Sequence, residues 1–224
     1  MEQIPFGTND FAENPEPRVP CVLVLDVSGS MQGDPIRQLN EGLVAFKDSL
    51  SADSLATKRV EVAIVTFGQD VNVAVDFTTA EGFHPPTLSV SGMTPMGRAV
   101  AMAAEMIDQR KKTYKSNGVA YYRPWMFLIT DGGPNDPGWE QAAQSSTADV
   151  NAKKYLLFAV GVEQANFETL KLFTPREPLR LKGLRYSDLF LWLSSSLKSV
   201  SRSSPGEDVP LENPVTPSGW ASTA

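Results

Sequence analysis

Apolar positions along the chain change their period several times, and each change marks an element. Cys21-Val22-Leu23-Val24-Leu25 is apolar throughout and partly β-branched, the pattern of a strand buried on both faces, and it ends at Asp26. Asp34-Pro35, a capping residue followed by proline, then introduces Ile36, Leu39, Leu43, Phe46 and Leu50 at three- and four-residue spacing. This predicts an amphipathic helix. Residues 60–67 and 71–77 flank Gly68-Gln69-Asp70 and predict a hairpin at one edge of a sheet. Residues 79–92 contain two prolines and no clear period, which predicts a loop with room for a short strand.

Pro95 and Gly97 open a further helix through Ala99, Val100, Ala103, Ala104 and Ile107. Residues 125–130 read as a strand that again ends in an aspartate, Asp131, followed by Gly132, Gly133 and Pro134. A helix over 139–153, a strand over 155–162, a helix near 167–173, a short strand over 179–182 and a helix over 187–200 complete the pattern. Such alternation predicts an α/β fold: a single Rossmann-like domain with an open, mostly parallel sheet and helices on both faces. Residues 1–17, with Pro5, Gly7 and Pro15-Glu16-Pro17, read as an N-terminal arm, and residues 18–200 as the domain. From 201 to 224 the composition shifts to Ser, Pro, Glu and Gly, which predicts a flexible C-terminal tail. Trp220 stands out there, with two placements open: docked on a partner, or folded back on its own domain.

The two strands that end in aspartate direct attention to one rim. Open parallel sheets bind ligands outside the carboxyl ends of their strands. Asp26-Val27-Ser28-Gly29-Ser30 and Asp131-Gly132-Gly133 both belong there, and the loop Gly92-Met93-Thr94-Pro95-Met96-Gly97 lies between them in sequence. Two carboxylates with two or three hydroxyls are hard oxygen donors, suited to magnesium, manganese or calcium rather than zinc or copper. Taken alone, Asp-x-Ser-x-Ser also arises as a cap or turn. Its place directly after a buried first strand is what strengthens the metal reading.

Val24-Leu25-Asp26-Val27-Ser28-Gly29-Ser30-Met31, then Thr94, then Asp131, resembles the metal-ion-dependent adhesion site of von Willebrand factor A domains in its five-residue form. Within that superfamily, segments such as Glu41-Gly42-Leu43, Val60-Glu61-Val62-Ala63, Tyr121-Tyr122-Arg123-Pro124-Trp125 and Phe158-Ala159-Val160-Gly161-Val162 are similar to the bacterial TerY-type proteins associated with tellurium resistance. The resemblance implies a six-stranded sheet in the order 3-2-1-4-5-6 with one antiparallel edge strand. It also implies a divalent cation, Mg2+ before Mn2+ or Ca2+, held by Ser28, Ser30 and Thr94 through their hydroxyls and by Asp26 and Asp131 directly or through water. The implied role is not enzymatic. It is a protein–protein interaction module that takes an acidic residue from its partner, in a stress-response signalling system with a serine/threonine kinase and a metal-dependent protein phosphatase.

Bulk properties narrow the alternatives. Over 224 residues, 42% are hydrophobic and 21% charged, as in an ordinary globular chain. The net charge of −6 supplies no basic field for nucleic acid. No stretch approaches the roughly 18 uninterrupted apolar residues of a membrane span, and no basic and apolar leader is evident. With the single cysteine, Cys21, and no Asn-x-Ser/Thr sequon, the expected location is the cytoplasm. His84 stands between Phe83 and two prolines without a positioned partner, which makes it structural or merely exposed rather than catalytic. No nucleophile elbow, P-loop or dinucleotide fingerprint is present.

Two rival readings remain. One is a metal-dependent phosphotransferase with Asp26 as nucleophile, for which Ser28 stands where a second aspartate is usual. The other is a structural domain whose site stays empty. Arg110-Lys111-Lys112 with Lys115 reads as a solvated helix C-terminus, and Asp136, Trp139 and Met96 as rim residues that shape partner choice.

Overall fold

A computed structural model describes residue 11 and residues 13–223, so most of the expected arm lies outside the described residues. Seven strands form one sheet in the order β3-β2-β1-β4-β5-β6-β7. They are β1 (Val19–Asp26), β2 (Val60–Phe67), β3 (Val71–Thr79), β4 (Trp125–Thr130), β5 (Leu156–Gly161), β6 (Leu179–Leu181) and β7 (Ala221–Thr223). Strands β2, β1, β4, β5 and β6 run parallel, and β3 and β7 close the two edges antiparallel. Every residue of β1, β2 and β4 is buried, which accounts for their largely apolar sequences, with Glu61 of β2 and Asp26 of β1 as buried charged residues within them.

The helices are α1 (Asp34–Ser51), α2 (Ala56–Arg59), α3 (Met96–Ser116), α4 (Trp139–Asn151), α5 (Phe167–Phe173) and α6 (Tyr186–Arg202). Leu39, Leu43 and Phe46 of α1 and Leu189, Leu193 and Leu197 of α6 cover one face of the sheet. Ala99, Val100 and Ala103 of α3, Ala143 and Val150 of α4 and Phe167, Leu170 and Phe173 of α5 cover the other. Both faces are therefore buried, as a parallel sheet requires. After β1 the chain winds outward to β2 and β3. From β4 it winds the opposite way, through β5 to β6. The reversal opens a crevice between the carboxyl ends of β1 and β4.

The expected order 3-2-1-4-5-6 with an antiparallel edge is present, but the sheet has seven strands rather than six. The seventh comes from the segment read as a flexible tail: Leu179, Arg180 and Leu181 of β6 pair with Thr223, Ser222 and Ala221. Three residues are too few to display a two-residue period, so the polar composition around them masked the strand. Of the two placements open for Trp220, the structure shows the second. Its ring is 3% exposed and packs edge-on against Trp192 of α6. Residues 80–95 form a loop without a strand, and α2 is an added single turn of helix. No described helix is long and apolar enough to cross a membrane.

Candidate metal centre

The crevice between β1 and β4 is lined from three loops. Asp26 is the last residue of β1, and Thr130 is the last of β4. Asp26 is fully buried, and both of its carboxylate oxygens are engaged: Ser28 N–H donates to Oδ1 at 2.8 Å and the Thr130 hydroxyl to Oδ2 at 2.5 Å. Thr130 Oγ1 in turn accepts from Gly132 N–H at 3.1 Å, which ties the Asp131-Gly132 turn to Asp26. The Ser28 and Ser30 hydroxyls lie 3.0 Å apart, and Ser30 donates to Asp131 Oδ1 at 2.8 Å. A continuous run of oxygens, Ser28 to Ser30 to Asp131, thus joins the ends of two strands that are adjacent in space and 101 to 103 positions apart in sequence.

Thr94 comes from the third loop. Its backbone is clasped by Asn135: the Asn135 side chain accepts from Thr94 N–H at 3.1 Å, and Asn135 N–H donates to Thr94 O, also at 3.1 Å. The loop is held from the other side by Ser91 N–H on Val27 O at 2.7 Å and Gly29 N–H on Gly92 O at 3.2 Å. Gly92 adopts φ +68°, and a Cβ there would lie 2.4 Å from the Gln69 backbone, so only glycine allows this approach. A Cβ placed on Gly132 would lie 4.0 Å from Thr94 Oγ1, which puts the threonine hydroxyl beside the Asp131 turn. All five candidate ligands therefore face one small region of the rim, with Asp26 and Ser28 deep, Thr94 partly buried and Ser30 exposed.

The electrostatics are one-sided. Burial first, and then repulsion from Asp131, push the Asp26 carboxyl up to about 6 from 3.8, against the lowering hydrogen bonds of Ser28 and Thr130. Among the described residues no lysine or arginine forms a salt bridge with Asp26 or Asp131. Nor do three or more His, Cys, Asp or Glu side chains converge among them as a metal cage. The donor set is two carboxylates and three hydroxyls, an all-oxygen set that fits a hard divalent cation.

Asp136, read from the sequence as a rim residue, is buried and serves as a helix cap. Its two oxygens accept from Gly97 N–H at 3.1 Å and Arg98 N–H at 2.8 Å, capping the first turn of α3. Asn135, which sequence reading missed, holds Thr94 from 41 positions away, a separation at which no local motif signals the contact. Arg110 is not part of a solvated helix end: only 15% exposed, it pairs with the buried Glu61 at 2.7 Å. His84 is exposed, and its Nδ1 meets Gly82 O at 2.9 Å, a local turn contact.

The same architecture is found in solved structures of otherwise distant sequence. Proximal thread matrix protein 1 from the mussel byssus superposes with a TM-score of 0.56 at 17% identity, over 82% of this chain and 48% of that one. The chain thus spans about half the length of that protein. The pilus adhesin SpaC from Lactobacillus rhamnosus GG, in an open conformation, gives 0.63 at 15% identity, over 83% of this chain and 30% of its own. The manganese-loaded TRAP protein of Plasmodium vivax gives 0.51 at 17% identity, over 72% and 64%. At these identities the likeness is one of fold. No curated protein matches the sequence. The family model of the von Willebrand factor type A domain matches residues 21–178, well over half of the chain, and with the sheet order and the site geometry it establishes that this chain belongs to the von Willebrand factor type A domain family.

Proposed function

We propose that the chain is a metal-dependent protein–protein interaction module whose cation is held by Asp26, Ser28, Ser30, Thr94 and Asp131. The observation that carries this reading is the run of oxygens in which Ser30 contacts Ser28 at 3.0 Å and Asp131 at 2.8 Å. It brings donors from two separate strands together on an exposed rim. Ser28, Ser30 and Thr94 offer hydroxyl oxygens, Asp131 offers a carboxylate at the mouth, and Asp26 supplies buried negative charge directly or through water. Bound there, a divalent cation, Mg2+ before Mn2+ or Ca2+, supplies an electrophilic centre with only two carboxylates around it, able to take an acidic side chain of a partner protein as a further ligand. A manganese-loaded relative of the same fold supports the choice of ion class.

The TerY-type resemblance extends the proposal to a bacterial, cytoplasmic scaffold in a tellurium-resistance or stress-response system, with a serine/threonine kinase and a metal-dependent protein phosphatase as partners. A phosphotransferase centred on Asp26 has less support. Asp26 is fully buried and each of its carboxylate oxygens already accepts a hydrogen bond, from Ser28 N–H and from the Thr130 hydroxyl, so the group is badly presented for attack on a substrate.

The test is retention of partners from a bacterial extract on the tagged chain, with magnesium, with chelator, and on the Thr94→Ala variant. The proposal expects the same proteins to be lost in both controls, with kinase and phosphatase among them. Partners held equally in all three lanes would contradict it.

A further inference from the structure

The C-terminal segment meets the domain as a bound peptide meets a recognition surface. Val209, Leu211 and Val215 pack partly buried against the α1/α6 side of the core, and Trp220 and Ala221 are buried outright. Trp220 is the anchor, its ring centroid 5.5 Å from that of Trp192 at an interplanar angle of 61°. The directed contacts, by contrast, go mostly to the segment's main-chain carbonyls. Lys182 Nζ donates to Thr216 O at 2.8 Å and Gly219 O at 3.0 Å, Arg185 to Gly219 O at 2.9 Å, and Trp192 Nε1 to Glu212 O at 2.7 Å. Lys182 N–H then donates to Trp220 O at 2.9 Å, and β7 continues as an added strand on β6. Fixed donors reading carbonyls, an added strand and one aromatic anchor together make up recognition by strand addition.

Two further features mark the segment as a ligand rather than a part of the core. It carries its own shape: Gly219 N–H bonds Thr216 O at 3.0 Å, Ala221 N–H bonds Pro214 O at 3.1 Å, and a Cβ on Gly219 would come within 2.0 Å of Pro214 O. The seat is also imperfect. Trp220 Nε1 is buried with no hydrogen-bond partner among the described residues, a cost that weakens its hold. An exposed stretch, residues 204–208, tethers the whole to α6.

We propose that the β6 edge and the adjoining face of α6 form a peptide-binding groove, that residues 209–223 are its resident ligand, and that it accepts in trans an extended segment of the same chemistry, a tryptophan followed by a short strand. The groove reads backbone carbonyls, so it tolerates sequence change outside the tryptophan anchor and Gly219, where the Pro214 carbonyl leaves no room for a side chain.

The test offers a fluorescein-labelled peptide of residues 209–223 to the full-length chain and to its Trp220→Ala and Gly219→Val variants. Anisotropy is expected to show saturable binding to both variants at least tenfold tighter than to the unaltered chain. A peptide with its own tryptophan replaced by alanine should bind neither. Exchange of the Leu179–Leu181 amides should rise in the variants and fall again with peptide. Folded variants that ignore the peptide, or bind the tryptophan-free peptide equally well, would overturn the proposal. If either variant unfolds, the unaltered chain carrying a protease site in residues 205–208 decides the matter. A cut segment that exchanges with labelled peptide while the domain keeps its melting profile supports the groove, and one released only on unfolding overturns it.

Discussion

The two ends of the sheet bury charge in opposite ways. At the amino ends of the strands, Glu61 is 1% exposed and receives Arg18 Nε at 3.1 Å, Arg110 Nε at 2.7 Å and the Tyr114 hydroxyl. Arg18 spends its remaining donors on the carbonyls of Asn14 and Glu16, and the Phe11 ring lies 5.5 Å from its guanidinium carbon. Burial, and then the charge of Glu61, hold the Tyr114 hydroxyl well above its ordinary range, so it remains a donor. Every charge there has its partner. At the carboxyl ends, Asp26 accepts from the Thr130 hydroxyl and Ser28 N–H and Asp131 from the Ser30 hydroxyl, all neutral donors, and burial and mutual repulsion leave Asp26 raised to about 6. A closed cluster of this kind specifies structure, whereas an open one with surplus negative charge leaves a place for a cation brought from solution.

If that contrast is right, the largest effect belongs to the closed end. Glu61→Ala strands Arg18 and Arg110, and should lower unfolding free energy by about 3–5 kcal/mol. Denaturant unfolding reads this directly, and a loss below about 1 kcal/mol would erase the distinction between the poles.

The open end should respond to magnesium instead. At 100-fold excess over its dissociation constant, magnesium should stabilise the unaltered chain by about 2.7 kcal/mol in thermal melts. Asn135→Ala should keep the fold and its cation-free stability, yet reduce magnesium affinity several-fold, because Thr94 loses its clasp. Unchanged affinity would show that the Thr94 loop is positioned without Asn135.

Sequence was most informative where one residue type repeats along one element. Alternation gave the open sheet with helices on both faces, the strand order came from the resemblance, and Asp26, Ser28, Ser30 and Asp131 could be placed together because each lies at or just after a strand end. What could not be read from the sequence was pairing between distant elements. Arg110 and Glu61 are 49 positions apart, so a basic run at a helix end concealed one arginine that turns inward. Asp136 caps a helix that begins 40 residues before it, outside any local capping pattern. β7 is three residues long within polar surroundings, and only the edge of β6 makes it a strand.

The Asp26 carboxyl gives the contrast a pH signature. An acid whose folded value, about 6, exceeds its ordinary 3.8 binds more protons folded than unfolded between those limits. Without cation, stability should therefore fall as pH rises from about 4 to about 6 and stay reduced above, by at most about 3 kcal/mol. Asp26→Asn should flatten that part of the profile. A profile identical in the two proteins would show that Asp26 is already compensated.

A smaller effect is expected at the α3 cap. Asp136→Ala should cost about 1 kcal/mol in unfolding free energy, with magnesium affinity changed less than in Asn135→Ala. The smallest belongs to the surface. Arg37, exposed beside Asp34 and Glu41 at 2.8 Å each, should change stability by no more than about 0.5 kcal/mol when replaced by alanine.

Calorimetric titration of magnesium into the full-length chain and into Asp131→Ala, both near pH 7.5 and both shown to be folded, tests the open pole most directly. The account predicts a single saturable site in the unaltered chain and none in the variant. Heat of dilution alone in both, or equal binding in both, would contradict it.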